Sequence, residues 1–477
     1  MTIPMQAIEI LAILFGLAYI LATTILLAMS LREMAWFARG QQPARARPES
    51  LAHNPTLSLV VPAHNEEPLI VQNVTAFLEL DYPGLIDVVV IDDGSTDGTL
   101  ARLDEAFELA RLPLRGRIPL DTAPIDAVFI SRRRPRLRVV AKENGGRSDA
   151  VNAGICVARG ELVAVVDADS LLEPDALDRA IRPYEIYSET CVAVGGAIRI
   201  ANGSAIEAGH VAVSHVSASG VVATQTLEYL RGFLASRIAW SKLNGLLIIS
   251  GAFGVFRRDL LIALGGLSCQ TLGEDMELTM RLHHQLRPGW KGASVFYAPD
   301  AVCWTECPAA LAGLRTQRVR WHVGLLDNLR LHRAMCARGR FGAAGTVAFP
   351  YIVLFEAVAP LLQLAGYVIG VALLLDDPTN WGYLAAFLIV TILLGQVLNA
   401  TALLIAEIGF HRYSWSDMAW LSGWGLVEAL WYQPAQAWWR TKATVLALSG
   451  RRPGWGTIPR GVGILEAPLD AAAPLTR

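Results

Sequence analysis

The chain contains little cysteine and has no excess of either charge. Its 477 residues include six cysteines, and 43 acidic side chains balance 41 basic ones. Such a near-neutral balance lacks the basic footprint of nucleic-acid-binding proteins. Cys303 and Cys307 are close in sequence, but no second pair at zinc-binding spacing accompanies them. We therefore expect no nucleic-acid partner, and we interpret all six cysteines as reduced and structural.

Two common nucleotide-binding motifs are missing as well. Gly145 and Gly146 do not belong to a P-loop, because the Gly-Lys-Ser/Thr that ends that motif is absent, and they do not fit the dinucleotide fingerprint. Lys142 and Arg147 flank the two glycines, close to the start of a predicted helix, where phosphate groups bind readily. We therefore predict that Lys142 and Arg147 contact a pyrophosphate.

Long apolar runs lie near both ends of the chain. Residues 8–30 are almost wholly apolar and suit one membrane-spanning helix, which needs about 20 residues. Arginines follow directly, so the positive-inside rule places the next domain in the cytoplasm. Residues 346–375 predict either one broken span or an interfacial helix and a span, and 382–405 predict another span. The tryptophan-rich segments 416–433 and 435–449 are expected to form a last hairpin.

Charged residues within these C-terminal segments are costly in lipid. They are Glu407, Glu428, Arg440 and Lys442. Such residues either face protein or an aqueous path, or mark interfacial loops. We favour the interfacial loop for Glu407 and the first interpretation for the others.

Between the apolar ends, short apolar runs alternate with stretches of helical spacing. The runs at 57–61, 87–91, 137–141, 162–166, 192–200 and 293–298 predict strands, and the segments that follow the first three predict helices. Residues 113–136 are expected to be a long connection. This alternation predicts an α/β fold with a doubly wound, mostly parallel sheet. Polar or acidic residues end each strand, and such sheets bind ligands at the carboxyl ends of their strands.

The strand at 162–166 ends in two carboxylates. Asp167 and Asp169 are separated only by Ala168, and in an extended chain residues two apart point the same way. Two carboxylates so close repel each other unless a cation lies between them. Oxygen ligands suit Mg²⁺ or Mn²⁺, and Mg²⁺ is usually held by one or two carboxylates together with substrate phosphates. We therefore predict that Asp167 and Asp169 bind Mg²⁺ or Mn²⁺.

Two further acidic pairs have both a functional and a structural interpretation. Asp92 and Asp93 end a predicted strand and could accept a hydrogen bond from a base N–H or a ribose hydroxyl, or form part of an Asp-Gly turn. Glu274 and Asp275 begin a predicted helix. One of them could act as a general base on a sugar hydroxyl, or both could complement the helix dipole.

Residues 309–335 predict an arginine-rich amphipathic helix that suits a membrane interface. On this helix, Trp321 could stack on a sugar ring, and Gln317 and Arg320 could bind pyrophosphate or hydroxyl groups.

Six motifs occur in the order seen in the family 2 inverting glycosyltransferases of the membrane synthase type. They are VVPAHNEE, VVVIDDGSTDGT, KENGGRSDAVNAGI, VVDADS, GED and QRVRW. The family includes cellulose, chitin, hyaluronan and poly-N-acetylglucosamine synthases. The C-terminal WYQPAQAWWRTKATVLALSG most resembles the bacterial poly-N-acetylglucosamine synthases. The resemblance implies a GT-A type fold flanked by transmembrane and interfacial helices.

The resemblance also implies a role for the nucleotide-binding residues. Asp93, with Asp92 beside it, matches the acid that reads the uracil of a UDP-sugar. The first nucleotide-binding loop includes Pro62, Ala63 and Glu66, with Glu66 near the ribose.

Other matched residues concern the metal, the diphosphate and the acceptor. Asp167 and Asp169 match the motif that holds the donor diphosphate through Mg²⁺ or Mn²⁺. Asp275, beside Glu274, matches the base that activates the acceptor hydroxyl for inverting attack. In the same family, residues at the positions of Gln317 and Arg320 bind the pyrophosphate. The acceptor-binding residues would be Trp321, Ser250 and Gly251.

The function implied by the resemblance is that of a membrane-embedded hexosyltransferase. It would move a sugar from a UDP donor to a growing polysaccharide, processively and coupled to export. The alternatives are a non-processive transferase acting on a lipid-linked acceptor and an inactive receptor or scaffold subunit of a secretion complex. Expected partners are the UDP-sugar, a glycan or glycolipid acceptor, the lipid bilayer and a small accessory membrane subunit.

We expect a multi-pass protein of a bacterial inner membrane with its catalytic domain in the cytoplasm. Its expected segments are a membrane helix, a linker, the catalytic domain, an interface helix, C-terminal membrane helices and a cytosolic tail, at residues 1–31, 32–55, 56–308, 309–340, 341–450 and 451–477.

Overall fold

The computed structural model describes residues 5–40, 54–113, 118–290, 292–377 and 381–451. Most of the expected linker and nearly all of the expected tail lie outside the described residues. The strands are β1 Leu57–Ala63, β2 Ile86–Asp93, β3 Leu109–Leu112, β4 Ile125–Ser131, β5 Leu137–Lys142, β6 Leu162–Val166, β7 Leu171–Leu172, β8 Cys191–Ile200, β9 Ala205–Glu207, β10 His210–Val213, β11 Phe253–Arg257 and β12 Ser294–Thr305.

Helices lie between these strands and at both ends of the described chain. The α-helices are α1 Met5–Ala38, α2 Ile70–Leu78, α3 Thr99–Phe107, α4 Arg147–Val157, α5 Ala176–Ile186, α6 Gly220–Tyr229, α7 Ser236–Lys242, α8 Arg258–Ala263, α9 Glu274–Leu286, α10 Leu311–Leu331, α11 Phe349–Tyr351, α12 Ala359–Asp376, α13 Trp381–Phe410 and α14 Trp415–Leu448. Three π-helical segments adjoin them, at Leu230–Ala235, Ala344–Ala348 and Ile352–Val358.

Ten strands form one mixed sheet in the order β3-β4-β5-β2-β1-β6-β11-β8-β12-β7. The four neighbouring strands β5, β2, β1 and β6 pair in parallel. Strands β4 and β11 extend this parallel part on its two sides through antiparallel pairs. The predicted α/β class with a doubly wound sheet is confirmed.

The parallel strands are buried on both faces because helices cover both faces. Val60 and Val165 point to the face where Ala150 of α4 packs. Leu59 and Ala164 point to the opposite face, which packs against α2, α3 and α5. Adjacent residues of a strand face opposite sides of its sheet, so apolar runs without polar alternation are required here.

Four strands of the sheet, β3, β4, β7 and β11, were not predicted. β4 lies within the expected connection 113–136, where Ile125–Ser131 covers the side of β5. β11 lies between β6 and β8 in the sheet. The segment that starts at Ser250 was expected to be a loop. All four pair antiparallel with their neighbours, so none follows the strand–helix alternation by which the parallel strands were recognised.

Three helices in the described part of the chain are long and apolar enough to cross a membrane. They are Leu14–Ala38, Ala344–Asp376 and Thr391–Phe410. The first continues beyond residue 31, where a linker was expected, to Ala38. In the second, the π-helical segments bridge the sequence around Pro350 and Pro360 without interrupting the helix.

The predicted C-terminal hairpin is wrong. One helix, α14, runs from Trp415 to Leu448 and passes through Pro434. Proline removes one helical hydrogen bond and usually kinks a helix. Here α14 packs along α10, α12 and α13 over its length, and this packing keeps both halves in one helix.

A partly buried ion pair joins α14 to the middle of the chain. Glu428 accepts hydrogen bonds from Arg231 at 2.7 and 2.8 Å and from Asn399 of α13 at 2.8 Å. Arg440 pairs with Glu356 at 3.1 Å. Glu428 and Arg440 therefore face protein, as expected of charges near lipid.

Acid should weaken the packing of α9 through His283. This buried imidazole lies with Nε2 3.0 Å from the carbonyl of Leu246, and burial lowers its pKa from 6.5 to about 4. Between these pH values the unfolded chain binds a proton that the folded chain does not, so stability falls as pH falls, by up to about 1.4 kcal/mol per pH unit. In thermal unfolding, His283→Gln should therefore lose less stability than the wild type between pH 6.5 and 4. Parallel curves would contradict this account.

Candidate active site

The loops after β1, β2, β5 and β6 meet at one edge of the sheet. The register aligns Ala63 with Asp92 and Asp93 with Lys142. Because these strands are parallel, their carboxyl ends lie side by side, where α/β sheets bind ligands. Pro62, Ala63 and Asp92 are thereby brought to neighbouring positions. Glu66 is buried in the loop before α2, and its N–H donates to Thr99 Oγ1 at 2.8 Å.

The carboxylate of Asp93 is fully engaged by the chain itself. Its Oδ1 accepts from Lys142 Nζ at 2.6 Å and from the N–H of Gly145 at 3.0 Å, and its Oδ2 accepts from the N–H of Gly146 at 2.8 Å. Gly146 has φ +85°, a backbone conformation that favours glycine. Asp93 therefore holds the loop that precedes α4.

Lys142 was predicted to contact a pyrophosphate, but its ammonium is buried between two carboxylates. Its side chain has no exposed area, and its ammonium is 2.6 Å from both Asp93 and Asp149. Two carboxylates and complete burial leave this ammonium no open side toward a pyrophosphate. Lys142 fixes Asp93 instead.

Asp92 is better placed than Asp93 to meet a ligand. Its Oδ1 is buried and has no hydrogen-bond partner among the described residues, although buried acceptors are nearly always satisfied. Burial raises the pKa of Asp92. An acceptor atom in this state suits a base N–H, so the geometry favours Asp92 over Asp93 for contact with the nucleobase.

The guanidinium of Arg147 joins the loops of the site. It donates to Asp167 Oδ1 through Nε at 2.8 Å, to Glu274 Oε1 at 2.9 Å and to the carbonyl of Gly251 at 2.7 Å. Burial alone would lower the pKa of Arg147, but the charges of Asp167 and Glu274 raise it above its usual value. A single cation therefore connects β6, α9 and the loop before β11.

Glu274 and Asp275 differ in their access to solvent. Glu274 is buried, and burial raises its pKa against the opposing attraction of Arg147. Asp275 is half-buried, and its Oδ2 accepts from the N–H of Gly251 at 3.1 Å. Asp275 is thus the more accessible of the two, and a general base must reach the proton that it removes.

Asp167 and Asp169 fit a divalent cation shared with a substrate. Both are half-buried at the end of β6. Within the described ranges, no group of three or more His, Cys, Asp or Glu side chains could hold a metal ion by itself. A cation here would need further oxygen ligands, which is how Mg²⁺ binds with one or two carboxylates and phosphate groups.

The QRVRW residues of α10 lie beside this acidic cluster. Burial lowers the pKa of Arg320, while Glu274, Asp167 and Asp275 attract its charge. The ring of Trp321 lies 5.7 Å from that of Phe233 and 6.5 Å from that of Tyr229. Gln317 accepts a hydrogen bond from Arg318 at 2.5 Å.

Sequence reasoning did not single out Asp149, which neutralises Lys142, or Arg318, which contacts two residues of the QRVRW motif. An acid in the first turn of a helix was a signal for Asp149. The sequence offers no comparable signal for the partners of Arg318, because they are distant in sequence.

Removing the charge of Arg147 should destabilise the fold. Arg147→Met leaves Asp167 and the buried Glu274 without their shared cation, and breaking a buried ion pair costs about 3–5 kcal/mol. Arg147→Lys is the matched control, because it keeps the charge but loses the guanidinium fork. Thermal unfolding should rank the wild type above Arg147→Lys and Arg147→Met last, and added Mn²⁺ should restore part of the loss in Arg147→Met. Equal melting temperatures would contradict this role.

Comparison with known proteins identifies two overlapping family matches. The model for glycosyl transferase family group 2 matches residues 162–404, about half of the chain, and that for glycosyl transferase family 2 matches residues 58–265. Poly-beta-1,6-N-acetyl-D-glucosamine synthase of Staphylococcus aureus (strain COL) is 26% identical over 307 residues, which cover 64% of this chain and 62% of that protein. The probable glycosyltransferase YdaM of Bacillus subtilis (strain 168) is 25% identical over 280 residues, 58% of this chain and 56% of that protein.

A solved structure shares the fold over most of the chain. The mannosyltransferase PcManGT from Pyrobaculum calidifontis, in complex with GDP-Man and Mn²⁺, has a TM-score of 0.51 and 20% sequence identity, with 91% of this chain and 99% of that chain covered. This likeness supports the GT-A fold. The curated relatives are matched over less than two thirds of their own length. The chain belongs to the family 2 glycosyltransferases, and it contains helices suited to a membrane.

Proposed function

We propose that this protein is an inverting β-glycosyltransferase that moves a sugar from a UDP donor to a growing glycan at the inner membrane of a bacterium. The observation that carries this proposal is the cluster of Asp167, Glu274 and Asp275 around Arg147, with Arg320 and Trp321 of α10 beside it. In our proposal the catalytic domain spans residues 56–308 and faces the cytoplasm.

Donor binding would use the carboxyl ends of the strands. Asp92 accepts a hydrogen bond from the base, and Glu66 lies toward the ribose. Asp167 and Asp169 would hold Mg²⁺ or Mn²⁺, which when bound would supply charge stabilisation for the departing diphosphate. Arg320 and Gln317 contact the diphosphate from α10. Arg147 would turn from Asp167 toward the diphosphate and keep its hydrogen bond to Glu274.

Transfer would take place beside Asp275. Its carboxylate accepts the proton of the acceptor hydroxyl, and the hydroxyl oxygen forms a bond to the anomeric carbon. The bond from that carbon to the diphosphate breaks, and the electron pair leaves with the UDP. Attack from the face opposite the diphosphate inverts the anomeric configuration. Trp321 stacks on the acceptor sugar next to Ser250 and Gly251.

The glycan would be extended repeatedly and exported beside the membrane helices. The similarity to a poly-beta-1,6-N-acetyl-D-glucosamine synthase supports N-acetylglucosamine as the first sugar to test. The intact acidic cluster argues against an inactive scaffold, because a chain without catalysis has no need to keep these carboxylates together.

Asp275→Asn should reduce UDP release by about 10²–10⁴-fold, the usual contribution of a general base. Asp259→Asn is the matched control, because Asp259 also lies in the first turn of a short helix but is exposed. Purified protein with Mg²⁺ or Mn²⁺ should be offered UDP-N-acetylglucosamine, UDP-glucose, UDP-galactose and GDP-mannose, with UDP or GDP release and product size measured.

Chelation of the divalent cation should also abolish release. Unchanged turnover in Asp275→Asn would overturn the proposed mechanism. A product extended by a single sugar on a lipid would overturn processivity but not transfer.

A further inference from the structure

Arg318 is the second residue of the QRVRW motif. Its side chain is 1% exposed. Its guanidinium lies 4.3 Å from the ring centroid of Trp321, and it donates to Gln317 Oε1 at 2.5 Å. One buried cation therefore contacts two side chains to which the proposed function assigns substrate contacts.

Partners from two other helices hold Arg318 in this position. Glu228 of α6 accepts from it at 2.5 Å, and Tyr432 of α14 lies 3.2 Å from it. The hydroxyl of Tyr432 also donates to Glu228 at 2.5 Å, and Gln436 donates to the other carboxylate oxygen at 3.3 Å. The acid, the cation and the phenol form a closed triangle of hydrogen bonds, which fixes the plane of the guanidinium.

We propose that Arg318 is a positioning residue for acceptor recognition, because it fixes the Trp321 ring and the Gln317 carboxamide. Tyr432 links these side chains to α14 through its hydrogen bonds to Arg318 and Glu228. The inference rests on the proposed function, in which Trp321 stacks on the acceptor sugar. A planar guanidinium can lie flat against an indole ring while its N–H groups bond in its own plane. A lysine ammonium keeps the charge but cannot form this arrangement.

The position of Trp321 is defined from two directions. Arg318 stacks on its ring, while Phe233 and Tyr229 meet it at tilted angles of 46° and 43°. Trp321 is itself only half-buried, so part of its ring remains open to a ligand. Loss of the guanidinium should therefore alter acceptor binding more than donor binding, because most of the proposed donor contacts lie at the sheet edge.

The test measures donor cleavage and acceptor use separately. UDP-N-acetylglucosamine is the donor, and a β-1,6-linked N-acetylglucosamine pentamer is the acceptor. Arg318→Lys should raise the acceptor KM and the pentamer Kd by about ten-fold, and it should raise the donor KM less, because Arg318 reaches the donor only through Gln317. Tyr432→Phe should act in the same direction by about three-fold.

Arg138→Lys is the matched control. Arg138 is also a buried arginine paired with a carboxylate, that of Asp87, but it lies away from the QRVRW helix. It should leave pentamer binding unchanged. The inference is overturned if Arg318→Lys binds the pentamer as the wild type does, or if it loses donor hydrolysis and acceptor transfer equally. A wild type that cleaves none of the four sugar nucleotides would overturn the proposed function itself.

Discussion

The site depends on one cation shared among three parts of the chain. Arg147 binds Asp167 at the end of β6, Glu274 at the start of α9 and the carbonyl of Gly251 before β11. Without it, acidic side chains from different elements would face one another in a partly buried space, where like charges repel strongly. Arg147 therefore allows an acidic site to assemble before any substrate or divalent cation arrives.

The same constraint recurs where the sheet domain meets the C-terminal helices. Arg318 is paired with Glu228, and Arg231 is paired with Glu428. Arg318 is buried and Arg231 is half-buried against the buried Glu428, and a buried charge is tolerated only with a partner and further hydrogen bonds. These pairs bind α10 and α14 to the domain in a defined position. Membrane-type helices and the candidate active site are consequently parts of one polar framework.

Much of this arrangement followed from sequence because its signals are local. The apolar runs ending in Asp92 and Asp167 predicted parallel strands with a ligand site at their ends, and both faces of these strands proved to be buried. The burial of Lys142 was not predictable, because its partner Asp149 lies on the helix after the glycine loop. The continuity of α14 through Pro434 depends on neighbouring helices, which local propensity does not describe.

The most direct test is a structure of the protein with Mn²⁺ and UDP, the product of the proposed reaction. The account predicts a cation bound by Asp167 and Asp169 together with the diphosphate. It also predicts that Arg147 leaves Asp167 for the diphosphate, keeps its bond to Glu274 and leaves Asp275 accessible. A structure in which UDP binds elsewhere, or in which Asp167 remains bound to Arg147 with no cation beside it, would contradict the account.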